Sequence, residues 1–170
     1  MNTNEILDYF AVISKCRPTA QYTVVPSDKL KNVKINSYPF FLCANLDESN
    51  MGGSHWVGMY IERKGAELEF FDSYGIDMYN YTHHFSHFVN MHDLRVIQNK
   101  TTLQGQHSLV CGHYVIMYMY FRLRGCSPQT FYARFSNNVE RNDRLVYNFV
   151  NKISVKRISC KNFQICKALK

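Results

Sequence analysis

Three features of the sequence predict an α+β fold. Apolar runs at residues 40–45, 55–61 and 68–74 have the length and composition of strands. Ile6, Phe10 and Ile13 recur at helical spacing near the start of the chain. From Cys111 to Phe121 the sequence is almost unbroken apolar, which is too long for an ordinary strand and reads as a buried central helix. Pro occurs only at 18, 26, 39 and 128, and no repeat or low-complexity segment interrupts the chain, so residues 1–170 read as a single domain. At 20.0 kDa such a domain buries roughly two-thirds of the surface its unfolded chain exposes.

The elements follow in order. Residues 3–15 read as a helix, with Asn2 and Glu5 placed as a capping pair. Residues 17–39, with three Pro and several Lys, read as loop, and Phe40 to Asn45 as a short buried strand. His55 to Ile61 is a strand, Arg63-Lys64-Gly65 a turn signal, and Leu68 to Tyr74 a second strand, so the two predict an antiparallel hairpin. A loop of about two to four residues sets Asp72 opposite residues 55–57. Directly opposed Cβ atoms lie about 5 Å apart and diagonal ones about 7–8 Å, which makes His55 and Asp72 neighbours on local geometry alone.

Residues 76–92, rich in Tyr, His and Phe, read as helical or mixed, and Leu94 to Ile97 as a strand. Residues 98–107 form a polar loop, with Ser108 as a helix cap and Arg122, Arg124 and Gly125 marking the end of the buried helix. Residues 129–151 read as an amphipathic helix pair with Leu145, Phe149 and Val150 facing inward.

The chain carries a net charge of +7, concentrated at one end. Residues 151–170 hold Lys152, Lys156, Arg157, Lys161, Lys167 and Lys170 and no acid. A cationic tail on a near-neutral body suits a polyanion such as DNA, although Ile153, Val155, Ile158, Phe163 and Ile165 in the same segment also suit a packed helix. The apolar runs are too short to span a membrane, and the first residues lack a basic start and an apolar core, so the expected location is intracellular rather than secreted. Six irregularly spaced Cys read as mainly reduced thiols.

The chemistry concentrates at Cys111. A thiol at a helix start is stabilised as thiolate by the free N–H groups and the helix dipole. His55 supplies an imidazole base and Asp72 a carboxylate to orient it, the ingredients of a cysteine nucleophile. The Cys111 backbone N–H and the Gln104 side-chain amide are the candidate donors to a tetrahedral oxyanion, with Gln106 as the alternative amide. His113 lies about 200° around the helix from Cys111 and cannot be its base. His83 and His87 sit one turn apart without the acid of a zinc motif or a thiolate companion, and Cys160 and Cys166 lack metal spacing, so no metal site is expected.

The order Met51-Gly52-Gly53-Ser54-His55-Trp56, Phe70-Phe71-Asp72-Ser73-Tyr74-Gly75 and Leu103-Gln104-Gly105-Gln106-His107-Ser108-Leu109-Val110-Cys111-Gly112 resembles the adenovirus-type cysteine endopeptidases (the adenain family). More distantly it resembles the SUMO and ubiquitin-like-protein proteases of the same clan. Weaker similarity reaches Cys43-Ala44-Asn45 and residues 141–149. The resemblance implies a papain-like fold of clan CE, an α+β protein with a central mixed sheet packed against the Cys-bearing helix. By position, Cys111 would be the nucleophile, His55 the general base and then acid, and Asp72 the group orienting His55. Gln104 would line the oxyanion hole. Trp56 would roof a narrow channel for small residues such as Gly-Gly, and Gly52 and Gly53 would pair with the substrate backbone.

On that resemblance the expected substrates are capsid or other precursor proteins of a DNA virus or virus-like element, and the expected locations are the virion and host nucleus. The expected protein is a monomer with no membrane partner. The chemistry needs no cofactor, and the resemblance carries with it the family's activation by DNA or a small peptide. No Cys lies between Asp72 and Cys111, which removes the attachment point for a disulfide-linked peptide there. The acid is Asp, as in the SUMO-protease branch, where the adenoviral enzymes usually have Glu. Two alternatives stand beside this reading: a deconjugating protease for ubiquitin-like modifiers, and an inactive basic nucleic-acid-binding protein that keeps only the fold.

Overall fold

Helix α1 (Thr3–Ser14) begins at the expected capping pair in the computed structural model, which describes residues 1–155 of the chain. The Asn2 side chain accepts from the Glu5 N–H and the Glu5 carboxylate accepts from the Asn2 N–H, so two donors that the helix start would leave unpaired are satisfied reciprocally. Ile6, Phe10 and Ile13 form the buried stripe of α1.

A five-stranded mixed sheet forms the middle layer, in the order β1 (Gln21–Pro26), β2 (Phe40–Asn45), β3 (Trp56–Ile61), β4 (Leu68–Phe71), β5 (Val96–Gln98). The outer pairs are parallel and the inner pairs antiparallel. Every residue of β2 and β3 is buried, because both faces of the sheet are covered. On one face Phe41, Cys43, Tyr60 and Phe71 pack with α1, with the buried helix α3 (Cys111–Leu123), and with α4 (Pro128–Tyr132) and α5 (Val139–Val155). On the other, Phe40, Leu42, Met59 and Phe70 pack with Leu30 and with Phe85, Phe88 and Val89 of α2 (His83–Met91). Alternate residues of β2 thus enter different cores, as the two-residue period of a strand requires.

Helix α3 is held to the sheet by more than apolar contact. Phe71 and Tyr118 stack with ring centres 4.4 Å apart. The buried Arg122 guanidinium forms two 2.6 Å bonds to the Glu69 carboxylate, which also accepts from the Tyr118 hydroxyl. A buried guanidinium needs this forked partner, since an unpaired charge inside a protein is strongly destabilising. The helix stops at Leu123, with Gly125 just beyond it at φ 74°.

Several expectations are corrected. The loop expected over 17–39 contains β1 and a 3₁₀ turn at Ser27–Asn32. Its prolines are compatible with a strand because β1 lies at the sheet edge and ends at Pro26. The β3–β4 connection spans residues 62–67, longer than the two to four expected. The register nonetheless pairs Gly58 with Phe71 and Tyr60 with Glu69, so one step further Asp72 faces Val57. Ser108 does not cap α3: the N-cap is Val110, which makes no side-chain cap. On α5 the inward residues are Val146, Val150 and Ile153, while Leu145 is exposed and Phe149 half-buried, a face rotated by about one residue from the expectation.

Cys16 and Cys126 each take part in a disulfide, which corrects the reading of the cysteines as reduced at these two positions. Bridging depends on Cα atoms coming within about 7 Å, a tertiary fact that spacing along the chain does not report. Among the described residues, no helix is long and apolar enough to cross a membrane. The cationic segment offered as a DNA contact lies, apart from Lys152, outside the described residues.

Candidate active site

The hairpin brings its two chemical residues together at its open end. His55 immediately precedes β3, and Asp72 immediately follows β4. His55 Nε2 lies 2.6 Å from Asp72 Oδ1, and both side chains are buried. This uses one ring nitrogen and leaves Nδ1 free to serve Cys111, whose sulfur is near enough to the His55 ring for each to shift the other's titration. The three residues expected from the sequence therefore form one continuous run from carboxylate to imidazole to sulfur.

Asp72 is held at every oxygen. Oδ1 accepts from His55 and from the Tyr74 N–H at 3.2 Å; Oδ2 accepts from the Ile76 N–H at 2.8 Å and the Tyr81 hydroxyl at 2.9 Å. Its backbone is clamped by Asn99, which accepts from the Asp72 N–H at 3.0 Å and donates to the Asp72 carbonyl at 2.6 Å. Asn99 and Tyr81 were not singled out in the sequence. Asn99 sits in a polar loop with no local pattern to mark it, and only the closure of that loop onto β4 gives it a role.

Electrostatics follow from these contacts. Burial pushes the Asp72 carboxyl up, but the hydrogen bond and charge of His55 outweigh it, so the group is held below its usual range. Burial also works against the charged form of His55. The hydrogen bonds to Asp72 and Cys111 and their negative charge overcome this and raise the imidazole to about 9. For Cys111 burial opposes ionisation, whereas the His55 contact and the N–H groups of Trp56 and Gly112 lower the thiol below its ordinary value. Its place as first residue of α3, behind an N-cap with no side-chain bond, adds unpaired first-turn N–H groups and the positive end of the helix dipole. The favoured state is a thiolate beside an imidazolium.

Gln104 reaches the site through Tyr74, whose ring lies against His55. It is 1 % exposed, its Oε1 accepts from Ser73 Oγ at 2.7 Å, and its Nε2 donates to the Ser108 carbonyl at 2.7 Å and to the Tyr74 hydroxyl at 3.2 Å. Gln106, the alternative amide, is exposed. The loop carrying Gln104 is anchored from two helices: the Leu103 carbonyl accepts from Tyr114 of α3 and from the buried Asn142 of α5, and Asp143 accepts from the Gly105 N–H.

A cleft of about 270 Å³ is lined by Met1, Asn45, Asp47, Gly52, Gly53 and Trp56, among others; it meets the site at Trp56, the residue after His55, and neither Cys111 nor His55 lines it. The buried Trp56 indole is fixed by its N–H, which donates to the Met1 carbonyl at 3.1 Å. The two glycines differ. Gly53 has φ 80°, and a Cβ there would sit 3.1 Å from Asn45 Nδ2, so the backbone itself requires glycine. A Cβ on Gly52 would meet nothing within 4 Å, so at that position the missing side chain matters only for the space it leaves in the cleft.

No protein-family model and no curated protein matches the chain. Solved structures do match. The SUMO protease Ulp1 with its catalytic cysteine oxidised to a sulfinic acid aligns over 94 % of this chain and 79 % of that one, with 17 % identity and a TM-score of 0.54. The same protease with that cysteine oxidised to a sulfonic acid aligns over 92 % and 79 %, with 18 % identity and a TM-score of 0.52. At this level of identity the likeness concerns the architecture: the chain has the papain-like α+β fold of clan CE, as found in the SUMO protease Ulp1.

Proposed function

We propose that the protein is a cysteine peptidase that cuts peptide bonds at small-residue, Gly-Gly-like sites. The observation that supports this most directly is the hydrogen bond from Asp72 to His55 and the electrostatic pairing of His55 with Cys111, next to Trp56, which borders a cleft that Gly52 and Gly53 also line. Asp72 keeps the imidazole oriented with Nδ1 toward the sulfur. The Cys111 thiolate adds to the scissile carbonyl carbon, forming the C–S bond while the carbonyl π electrons move to oxygen. The tetrahedral intermediate collapses as His55 gives its proton to the departing amine, leaving a thioester on Cys111. Neutral His55 then takes a proton from water, which attacks the thioester and releases the acid.

The substrates in this reading are precursor proteins with exposed, extended Gly-Gly segments, capsid-type precursors among them. A second reading is removal of ubiquitin-like modifiers, and the architectural likeness to a SUMO protease favours it. Purified protein incubated with a Gly-Gly peptide bearing a fluorogenic leaving group, and separately with a SUMO vinyl-sulfone probe, tests both. Peptide cleavage lost in Cys111→Ala supports the peptidase. Covalent capture of the probe at Cys111 selects deconjugation. Failure of both substrates, with the thiol intact and the protein folded, overturns the reading.

A further inference from the structure

The buried polar run beside the thiolate ends in a donor with no acceptor. Ser108 O lies 2.7 Å from the Gln104 amide, and only the amide nitrogen can face a carbonyl oxygen, which settles the orientation of that side chain. Oε1 then accepts from Ser73, and the second N–H of Nε2 goes to the Tyr74 hydroxyl. An amide nitrogen accepts nothing, so the hydrogen of Tyr74 points elsewhere, and it meets no acceptor among the described residues. Gln104 is sealed from the cleft and both its N–H groups are occupied. Tyr74 is only part-buried, and its ring lies against His55 with centres 4.8 Å apart.

Tyr74 is also held still. Its N–H donates to Asp72 Oδ1, its carbonyl accepts from Thr102 Oγ1 at 2.9 Å, and the Ser73 carbonyl accepts from the N–H groups of Leu103 and Gln104. Next to it Gly75 has φ 70°, and a Cβ there would stand 2.8 Å from the backbone of Lys100 and Thr101. A donor fixed this way needs no reorganisation when charge develops in front of it, which is the condition for strong transition-state stabilisation.

We infer that the Tyr74 O–H is the side-chain donor to the oxyanion, and that Gln104 stands behind it as the residue that orients and polarises it. This rests on the cysteine-peptidase reading. When Cys111 Sγ bonds to the carbonyl carbon, the negative charge on oxygen is met by the Tyr74 hydrogen and the Cys111 backbone N–H. The charge returns to a C=O as the amine leaves with the proton of His55. Tyr74 transfers no proton; it lends a hydrogen bond that Gln104, donating to its oxygen, strengthens.

The test uses the full chain with the fluorogenic Gly-Gly peptide, iodoacetamide and a Gly-Gly peptide aldehyde. Iodoacetamide reports the thiolate without forming an oxyanion, whereas the aldehyde forms a hemithioacetal whose oxygen occupies the hole. Tyr74→Phe keeps the ring on His55 and removes only the donor. It is expected to lower kcat about 10²-fold, to leave KM within about twofold, to weaken the aldehyde by a similar factor, and to leave the iodoacetamide rate unchanged. Gln104→Ala is expected to lower kcat as well, and the double variant to be no worse than Tyr74→Phe, because both act through one hydrogen bond. Tyr74→Phe at near wild-type kcat, with Gln104→Ala crippled, overturns the inference in favour of direct donation by Gln104. Equal loss of turnover and alkylation in Tyr74→Phe overturns it in favour of a role in the thiolate–imidazolium pair. A wild-type chain that alkylates readily but cleaves neither peptide nor modifier overturns the peptidase reading, and this inference with it.

Discussion

Cys43 and Cys111 are free thiols in the same hydrophobic core, on the side of the sheet covered by α3, yet their surroundings send them in opposite directions. Cys43 is 0 % exposed in the middle of β2, opposite Gly58 of β3; burial and the nearby negative charge of Cys111 push its thiol well above the ordinary value. Cys111 is also buried, and burial alone would do the same to it. It ionises more easily because His55, the N–H groups of Trp56 and Gly112, and the start of α3 converge on its sulfur. Burial by itself makes a cysteine inert, and the partners decide whether it becomes a nucleophile.

The sharpest way to break this comparison is to remove each sulfur in turn. Cys111→Ala is expected to abolish peptide cleavage, with circular dichroism unchanged; residual turnover in that variant would remove Cys111 from its role. Cys43→Ala is expected to leave kcat unaltered. In the native protein iodoacetamide, followed by peptide mass mapping, should label Cys111 and spare Cys43; labelling of both at similar rates would show that the contrast between them is not real.

The next largest effect comes from the acid. Asp72→Asn removes the charge that keeps the imidazole protonated and oriented, and turnover should fall on the order of 10²-fold or more, the scale of one general acid–base contribution, with KM changed far less. A variant with unchanged kcat would show that Asn99 and Tyr81 merely hold a structural carboxylate.

The pH profile is a gentler probe. The imidazole is raised, so its proton persists from low pH until the pH passes about 9. The thiol is lowered, so thiolate persists down to pH values below the ordinary thiol range. The pair titrates as a unit, and kcat/KM should form a plateau whose alkaline limb lies near 9. In Asp72→Asn that limb should move toward the usual imidazole range; a limb that stays in place would mean the carboxylate does not control the proton.

The smallest expected effect is on stability. Cys43→Ala opens a small void between β2 and α3 and should cost about 1 kcal/mol in a denaturant titration. A loss several times larger would give Cys43 a packing role beyond its volume.

Much of this site was legible along the chain because its parts are local. His55 and Asp72 sit on one hairpin, whose alternation sets their register within a residue even though the loop was misjudged. Cys111 opens a helix whose apolar length announces itself. Gln104 could be suspected from its place in a polar loop ahead of the thiol. Hidden from view were Asn99, Tyr81 and the hydroxyl of Tyr74, which acquire partners only when loops distant in sequence close over β4. The strand β1 was also missed, because the prolines in and around it argue against a strand everywhere except at an edge, and edge position is a property of the assembled sheet.

Side-chain alternation, helix capping and the field at a helix start act over a few residues, so composition and spacing were enough to nominate the sulfur, the ring and the carboxylate and to assign the class of fold. Which amide faces which carbonyl, which hydroxyl is left with a free hydrogen, which cysteines are bridged and which glycine is required by the backbone depended on contacts between segments that lie far apart in the chain. Hydrogen bonds and burial are decided by distances of a few ångströms between such segments, and only the packed chain sets those distances.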